Sequence, residues 1–205
     1  AAINKNQAIA TTTPANSGGF IAPGEYRKVT TFAGSTNGIL DSDDPLTAKF
    51  NGPKGVVKDN FGNYYVPDVN NGAIRKISAG LIVSSILDLY GSSYNIHDLA
   101  IATNTGDLYF LTQDSRLWKL VNTNSANYST QEPIYASTAT QIIATGVFDS
   151  PLGLAISPDN SYLLVADTWN NKIRKVTLST SAVTDFSGQA SSMTEYGGNH
   201  TAVNG

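Results

Sequence analysis

The chain has 205 residues, of which 40% are hydrophobic and only 14% charged, with a net charge of -3 and a pI near 5.2. That is enough apolar material for a sizeable core, and the acidic balance supplies no global field to hold a polyanion, so nucleic acid is not an expected partner. Cysteine is absent, which excludes disulfides, thiolate metal sites and cysteine nucleophiles.

The chain begins at Ala1 without an initiator Met and reads as a processed form or a fragment. Residues 1–25 are rich in Thr, Ala, Asn and Gly and read as an extended low-complexity arm, in which Gln7 to Thr13 can add as a strand to a sheet edge. Residues 26–205 carry β-rich runs separated by polar turns. The longest apolar runs, such as Leu81-Ile82-Val83, fall far short of the roughly 20 residues of a membrane span, so no membrane span is expected.

Self-similarity organises this second part. Phe50-Asn51-Gly52-Pro53-Lys54-Gly55-Val56-Val57 recurs as Phe148-Asp149-Ser150-Pro151-Leu152-Gly153-Leu154-Ala155. Tyr65-Val66-Pro67-Asp68 and Ile74-Arg75-Lys76-Ile77 return as Leu164-Val165-Ala166-Asp167 and Ile173-Arg174-Lys175-Val176. A degenerate unit lies between them, marked by Asp98 to Ile101, Gly106 to Phe110 and Leu117 to Leu120. Each unit has three short β-rich runs joined by turns such as Asp59-Asn60-Phe61-Gly62 and Asn170-Asn171. A fourth run is expected at Val29 to Gly34, Ile82 to Leu87, near Pro133-Ile134-Tyr135, and at Val183 to Gly188. Four antiparallel strands per period of roughly 40 to 55 residues is the arithmetic of a propeller blade.

Thr31-Phe32-Ala33-Gly34, Phe50 to Gly55, Gly62 to Asp68 and Ile74-Arg75-Lys76-Ile77 together resemble an NHL repeat. The resemblance covers roughly residues 27–205 and departs at Pro67 and in the middle unit, which lacks both the Pro-x-Gly start and the Asp that ends the second run. It implies an all-β, NHL-type β-propeller of four-stranded antiparallel blades over about 54–87, 97–136 and 152–187, with a linker at 188–205. The run at 29–34 is then an outer strand without inner strands, unless it closes the ring as a clasp, and the chain stops in mid-repeat, giving an incomplete ring to be covered by further blades or other copies. Gly55 and Gly153 are read as letting inner strands crowd the axis. Asp68 and Asp167 are read as acceptors of turn amides, and Arg75 and Arg174 as packing residues or, alternatively, as lining an interaction surface.

Signals for chemistry are thin. His97 and His200 are the only histidines, so the histidine-held zinc of propeller lyases similar to this family would need residues beyond this chain. Asp41-Ser42-Asp43-Asp44 starts like a calcium loop but lacks its later Gly and Glu and reads as a polar loop. No nucleophile elbow or phosphate loop occurs. No catalytic residue, cofactor or metal is therefore assigned. Asn127 and Asn199 open N-glycosylation triplets, and the low-charge, Ser/Thr/Asn-rich composition leans extracellular. The leading expectation is a non-catalytic scaffold that pairs with protein, either itself or missing blades, in a larger assembly, a filament or a ring of several chains. A peptide- or glycan-binding propeller and a fragment of a metal-dependent hydrolase or lyase are the alternatives.

Overall fold

In the computed structural model, the described residues are 29–89, 95–121 and 139–188. The chain divides into two units, Ala1–Thr31 and Phe32–Gly205, and the account below concerns the second. The expected N-terminal arm, the glycosylation candidates Asn127 and Asn199, His200, the run near Pro133 and most of the 188–205 linker lie outside the described residues.

Three four-stranded antiparallel sheets follow one another along the chain. Blade 1 comprises β1 (Val57–Lys58), β2 (Tyr64–Asp68), β3 (Ala73–Ile77) and β4 (Val83–Asp88). Blade 2 comprises β5 (Ile96–Ala102), β6 (Asp107–Thr112), β7 (Leu117–Leu120) and β8 (Thr140–Ile143), so the fourth strand of the middle sheet is Thr-Gln-Ile-Ile. Blade 3 comprises β9 (Pro151–Ile156), β10 (Tyr162–Asp167), β11 (Lys172–Thr177) and β12 (Ala182–Ser187). Every sheet is a meander, and together they form the arc of an incomplete β-propeller.

Register proves the three sheets to be one unit repeated. Tyr65 faces Lys76, Tyr109 faces Lys119 and Leu164 faces Lys175 across the second hairpin. The third and fourth strands shift register at equivalent places, after Ile74, Leu117 and Ile173. That bulge places Ile86, Ile142 and Phe186 in matching positions.

Strand alternation gives each sheet two apolar faces. One face of blade 1 (Tyr65, Ile74, Ile86, Leu87) packs against Leu99, Ile101, Leu108 and Phe110 of blade 2. The other face of blade 2 (Ala100, Tyr109, Leu111, Leu117) packs against Leu163, Val165 and Val176 of blade 3. Each large apolar side chain so buried contributes about 1.5–3 kcal/mol. We call the face toward the preceding blade leading and the face toward the following blade trailing.

The leading face of blade 1 has no blade before it among the described residues. Val66, Ile77 and Val83 are instead covered by Ala33, Ala48 and Phe50, part of a strap that runs from Phe32 to Phe50. The strand expected at 29–34 is not formed, since no ladder includes those residues. The strap is folded on itself by a hydrogen bond from Gly34 N–H to Pro45 O and pinned to β4 by reciprocal bonds between Ser42 and Val83. Phe32 meets Tyr64 edge to face at 5.3 Å.

Candidate functional site

The residues singled out by the repeat converge on one slot per blade. In blade 1, Asp68 ends β2 and accepts the Asn51 N–H at 2.6 Å on Oδ1, while Oδ2 accepts from Asn71 and from Arg75. In blade 3, Asp167 accepts the Asp149 N–H at 2.7 Å and bonds from Asn170 and Arg174. Each Asp thus ties the loop before the first strand to the end of the second and orients the arginine on the third. The amides it accepts include one from a loop far back in sequence, which the turn-acceptor expectation did not specify.

Arg75 is wholly buried, so it lines no surface and the interaction reading of this residue is corrected. The two terminal nitrogens of its guanidinium donate to Asp68, to Asp41 at 2.7 Å, and to the carbonyls of Lys49 and Leu40, while Nε is buried without a partner; the group lies 4.8 Å from the Phe50 ring. Asp41 also accepts from the Ser85 amide and hydroxyl. Asp41 of the polar loop is thereby a latch holding the strap on the blade. Arg174 is partly exposed and pairs with Asp167 and Asp185.

In blade 2 the aspartate and arginine positions of the slot hold neutral residues, and the carboxylate bonded there at 2.6 Å is Asp114, through the Thr112 hydroxyl. The pairing of Phe110 with Trp118 matches that of Val66 with Arg75, so Trp118 occupies the arginine position and Thr112 the aspartate position. The indole N–H donates to Thr112 Oγ1 at 3.2 Å, and the indole stacks on Phe110. The degenerate middle repeat therefore keeps the slot and changes its chemistry.

At the innermost strands, Ile96 pairs with Thr112 and Asp98 with Leu111, just as Pro151 pairs with Asp167 and Gly153 with Ala166. Ile96-His97-Asp98 thus stands where the other blades have Pro-x-Gly, and Lys54, His97 and Leu152 are bulge residues. Asp98 was not singled out as a site residue, although it fills a repeat position that is otherwise Gly, which is the signal that could have found it. Its Oδ2 accepts the Leu154 N–H of blade 3 at 2.8 Å, and its Oδ1 lies 3.5 Å from where a Cβ on Gly55 of blade 1 would be. The carboxylate so bonds blade 2 to the inner strand of blade 3 and lies beside Gly55 of blade 1. The His97 Nδ1 lies 3.1 Å from the Pro151 carbonyl. Among the described residues no three His, Asp or Glu side chains are placed to share a metal ion.

The third feature is a face. On the trailing side of blade 3, Leu164, Ala166, Ile173 and Phe186 take the positions of Tyr65, Pro67, Ile74 and Ile86 in blade 1. Ile86 is 2% exposed and Phe186 is 56% exposed. A shallow cavity of about 240 Å³ lies here, floored by Ala166 and Ile173 and rimmed by Thr168, Asn171, Lys172 and Ser187. Beside it, Trp169 projects from the turn after β10 and is 66% exposed.

No protein-family model matches the sequence, and no curated protein matches it. Solved structures do resemble the fold. A Bacteroides thetaiotaomicron protein of unknown function aligns with TM-score 0.58 and 17% identity over 76% of this chain and 36% of its own. The nidogen/laminin complex aligns with TM-score 0.53 and 15% identity over 70% and 51%. Virginiamycin B lyase from Staphylococcus aureus aligns with TM-score 0.50 and 17% identity over 70% and 42%. These are β-propeller proteins, both enzymes and binding proteins. Such identities establish the fold and nothing finer. The chain spans about two fifths of the length of the lyase.

Proposed function

We propose that this chain is a non-catalytic, NHL-like propeller scaffold, a structural subunit of a larger extracellular assembly, filamentous or ring-shaped. The observation that carries this reading is the trailing face of blade 3, which repeats in register the positions that blades 1 and 2 bury against their neighbours. A sheet face of this kind is stable once another surface covers it. The bonding of Asp98 and His97 to backbone at the axis supports a scaffold over an enzyme, because both groups already serve to join blades. Negative-stain electron microscopy of the protein as isolated tests the reading. Filaments or multi-chain rings are expected; monodisperse particles of one chain's mass across the micromolar range would sink it.

A second reading, a propeller that recognises peptide or glycan, draws on Trp169, since an exposed indole offers a stacking surface. Quenching of Trp fluorescence by an oligosaccharide or peptide panel, lost in Trp169→Ala, is the outcome it requires.

A further inference from the structure

Resting on the scaffold reading, we infer that the outer surface of the strap on one copy docks onto the trailing face of blade 3 on a second copy of this chain, head to tail. Both ends of the arc of blades are apolar on the outside. At one end Phe186 is exposed and Leu164 and Ile173 are half-buried. At the other, the strap buries Ala33, Ala48 and Phe50 against blade 1 and turns Ile39, Leu40 and Leu46 outward, each about half exposed.

Charge sets the direction. The strap carries Asp43 and Asp44, both exposed, whereas the trailing face carries Lys175, whose ammonium lies 4.3 Å from the Tyr162 ring centre; Lys172 at the cavity rim is already paired with Asp185 at 2.7 Å. Pairing two trailing faces by a two-fold axis would bring Lys175 toward its own copy with no acid opposite, a like-charge juxtaposition that opposes association. Pairing the strap with the trailing face sets acid against base and buries apolar residues from both. The cavity above Ala166 is large enough for one leucine-sized side chain, and Leu46 and Leu40 are the strap's candidates to fill it.

The contact also continues two interfaces the chain already contains, because blades 2 and 3 each present a leading surface to the trailing face before them. Here the strap, rather than a blade, supplies the leading surface. Since the two docking surfaces differ, the contact is heterologous, and its repetition yields a ring if the rotation closes and a filament if it does not.

The absence of native cysteine makes the test clean. Leu46→Cys and Thr184→Cys are prepared separately, Thr184 being an exposed neighbour of Lys175 across the ladder. Mild oxidation of an equimolar mixture is expected to give a disulfide between residues 46 and 184 of different chains, identified by peptide mass spectrometry, at a yield roughly tenfold or more above the homodimers of either variant alone. Phe186→Glu, with an unchanged melting temperature, should weaken self-association at least roughly tenfold in sedimentation. Homodimers through residue 184, or no 46–184 bond, would overturn the inference, as would undiminished association of Phe186→Glu. A further blade of the same polypeptide covering this face would produce the second of these results. Assemblies seen by microscopy without the 46–184 bond would overturn this contact and leave the scaffold reading standing.

Discussion

Blades 1 and 3 carry the same polar trio, Asp68, Asn71 and Arg75 in one and Asp167, Asn170 and Arg174 in the other, yet the two trios stand in different surroundings. Arg75 is sealed and meets two carboxylates, two carbonyls and an aromatic face. The Arg174 side chain is 18% exposed, its bond to Asp167 is 3.3 Å long, and its other carboxylate, Asp185, is half exposed. The same residues at the same spacing have been made dry by a strap in one case and left partly wet in the other. A repeat motif therefore specifies geometry, while its covering decides what the geometry is worth. Blade 2 shows the other solution, a neutral Thr112 and Trp118 pair where the slot faces an apolar blade.

The sharpest way to break the comparison is to remove the aspartates one at a time. Asp68→Ala leaves a dry guanidinium with Asp41 as its one carboxylate and strips the Asn51 and Asn71 N–H groups of their acceptor, and is expected to cost about 3 kcal/mol, read as the shift in a urea midpoint. Asp167→Ala strands a guanidinium that water and Asp185 still reach, so its cost should be smaller, about 1–2 kcal/mol. Equal losses would mean that the strap does not dry the slot. Asp41→Ala, which frees the latch but leaves Asp68 in place, should fall between them and increase proteolysis within the strap.

A carboxylate at the far end of blade 1 sharpens the contrast through pH. Asp59 is buried, which pushes its carboxyl up, but the side-chain and backbone bonds from Asn63, the Tyr65 hydroxyl and the Phe61 N–H outweigh that and hold it below its ordinary value of 3.8. In blade 3 the equivalent position is Ser157, a neutral acceptor for Ser161 and Tyr162. A depressed carboxyl stabilises the fold above its unfolded value, and that contribution is lost as pH falls through the lower folded value. Asp59→Asn should therefore cost about 1–3 kcal/mol at neutral pH. Its deficit relative to the parent protein should shrink below about pH 4. A deficit unchanged down to acid unfolding would show that the carboxylate is not what holds this turn.

The legible parts of the sequence were those that local chemistry enforces. The Pro-x-Gly start and strand-ending Asp of blades 1 and 3 act within their own repeat, so they marked their blades through internal self-similarity and the resemblance to NHL repeats. The parts that did not read correctly depend on a partner. Thr31-Phe32-Ala33-Gly34 resembles Thr184-Asp185-Phe186-Ser187-Gly188 in its Phe-x-Gly, but only the latter has an inner strand beside it, and the former lies as a strap. The fourth strand of blade 2 is polar at its start, and nothing in Thr140–Ile143 outranks the Ser/Thr-rich residues before it until the shared bulge register is known. Asp98, the axial bridge, was hidden because a substitution at a degenerate glycine position looks like decay. Phe186 and Trp169 carry no signal of exposure at all, since exposure is a property of what packs over them.

The smallest test separates two glycines that the repeat treats as one. Gly153 has ordinary backbone angles, and a Cβ there would sit 3.3 Å from Ala166 Cβ on the neighbouring strand, so it is small because two strands approach closely. Gly55 has φ of +59° and a Cβ there would meet only Asp98 Oδ1, at an ordinary 3.5 Å, so it is glycine for its backbone. Gly55→Ala should cost about 1–2 kcal/mol of left-handed strain whatever is done to its neighbour. Gly153→Ala should cost about 1 kcal/mol or less and be relieved by Ala166→Gly, whereas Gly55→Ala should not be relieved by Asp98→Asn. Relief in both double mutants would restore a single explanation, crowding at the axis, and remove the distinction in backbone conformation between the first and third blades.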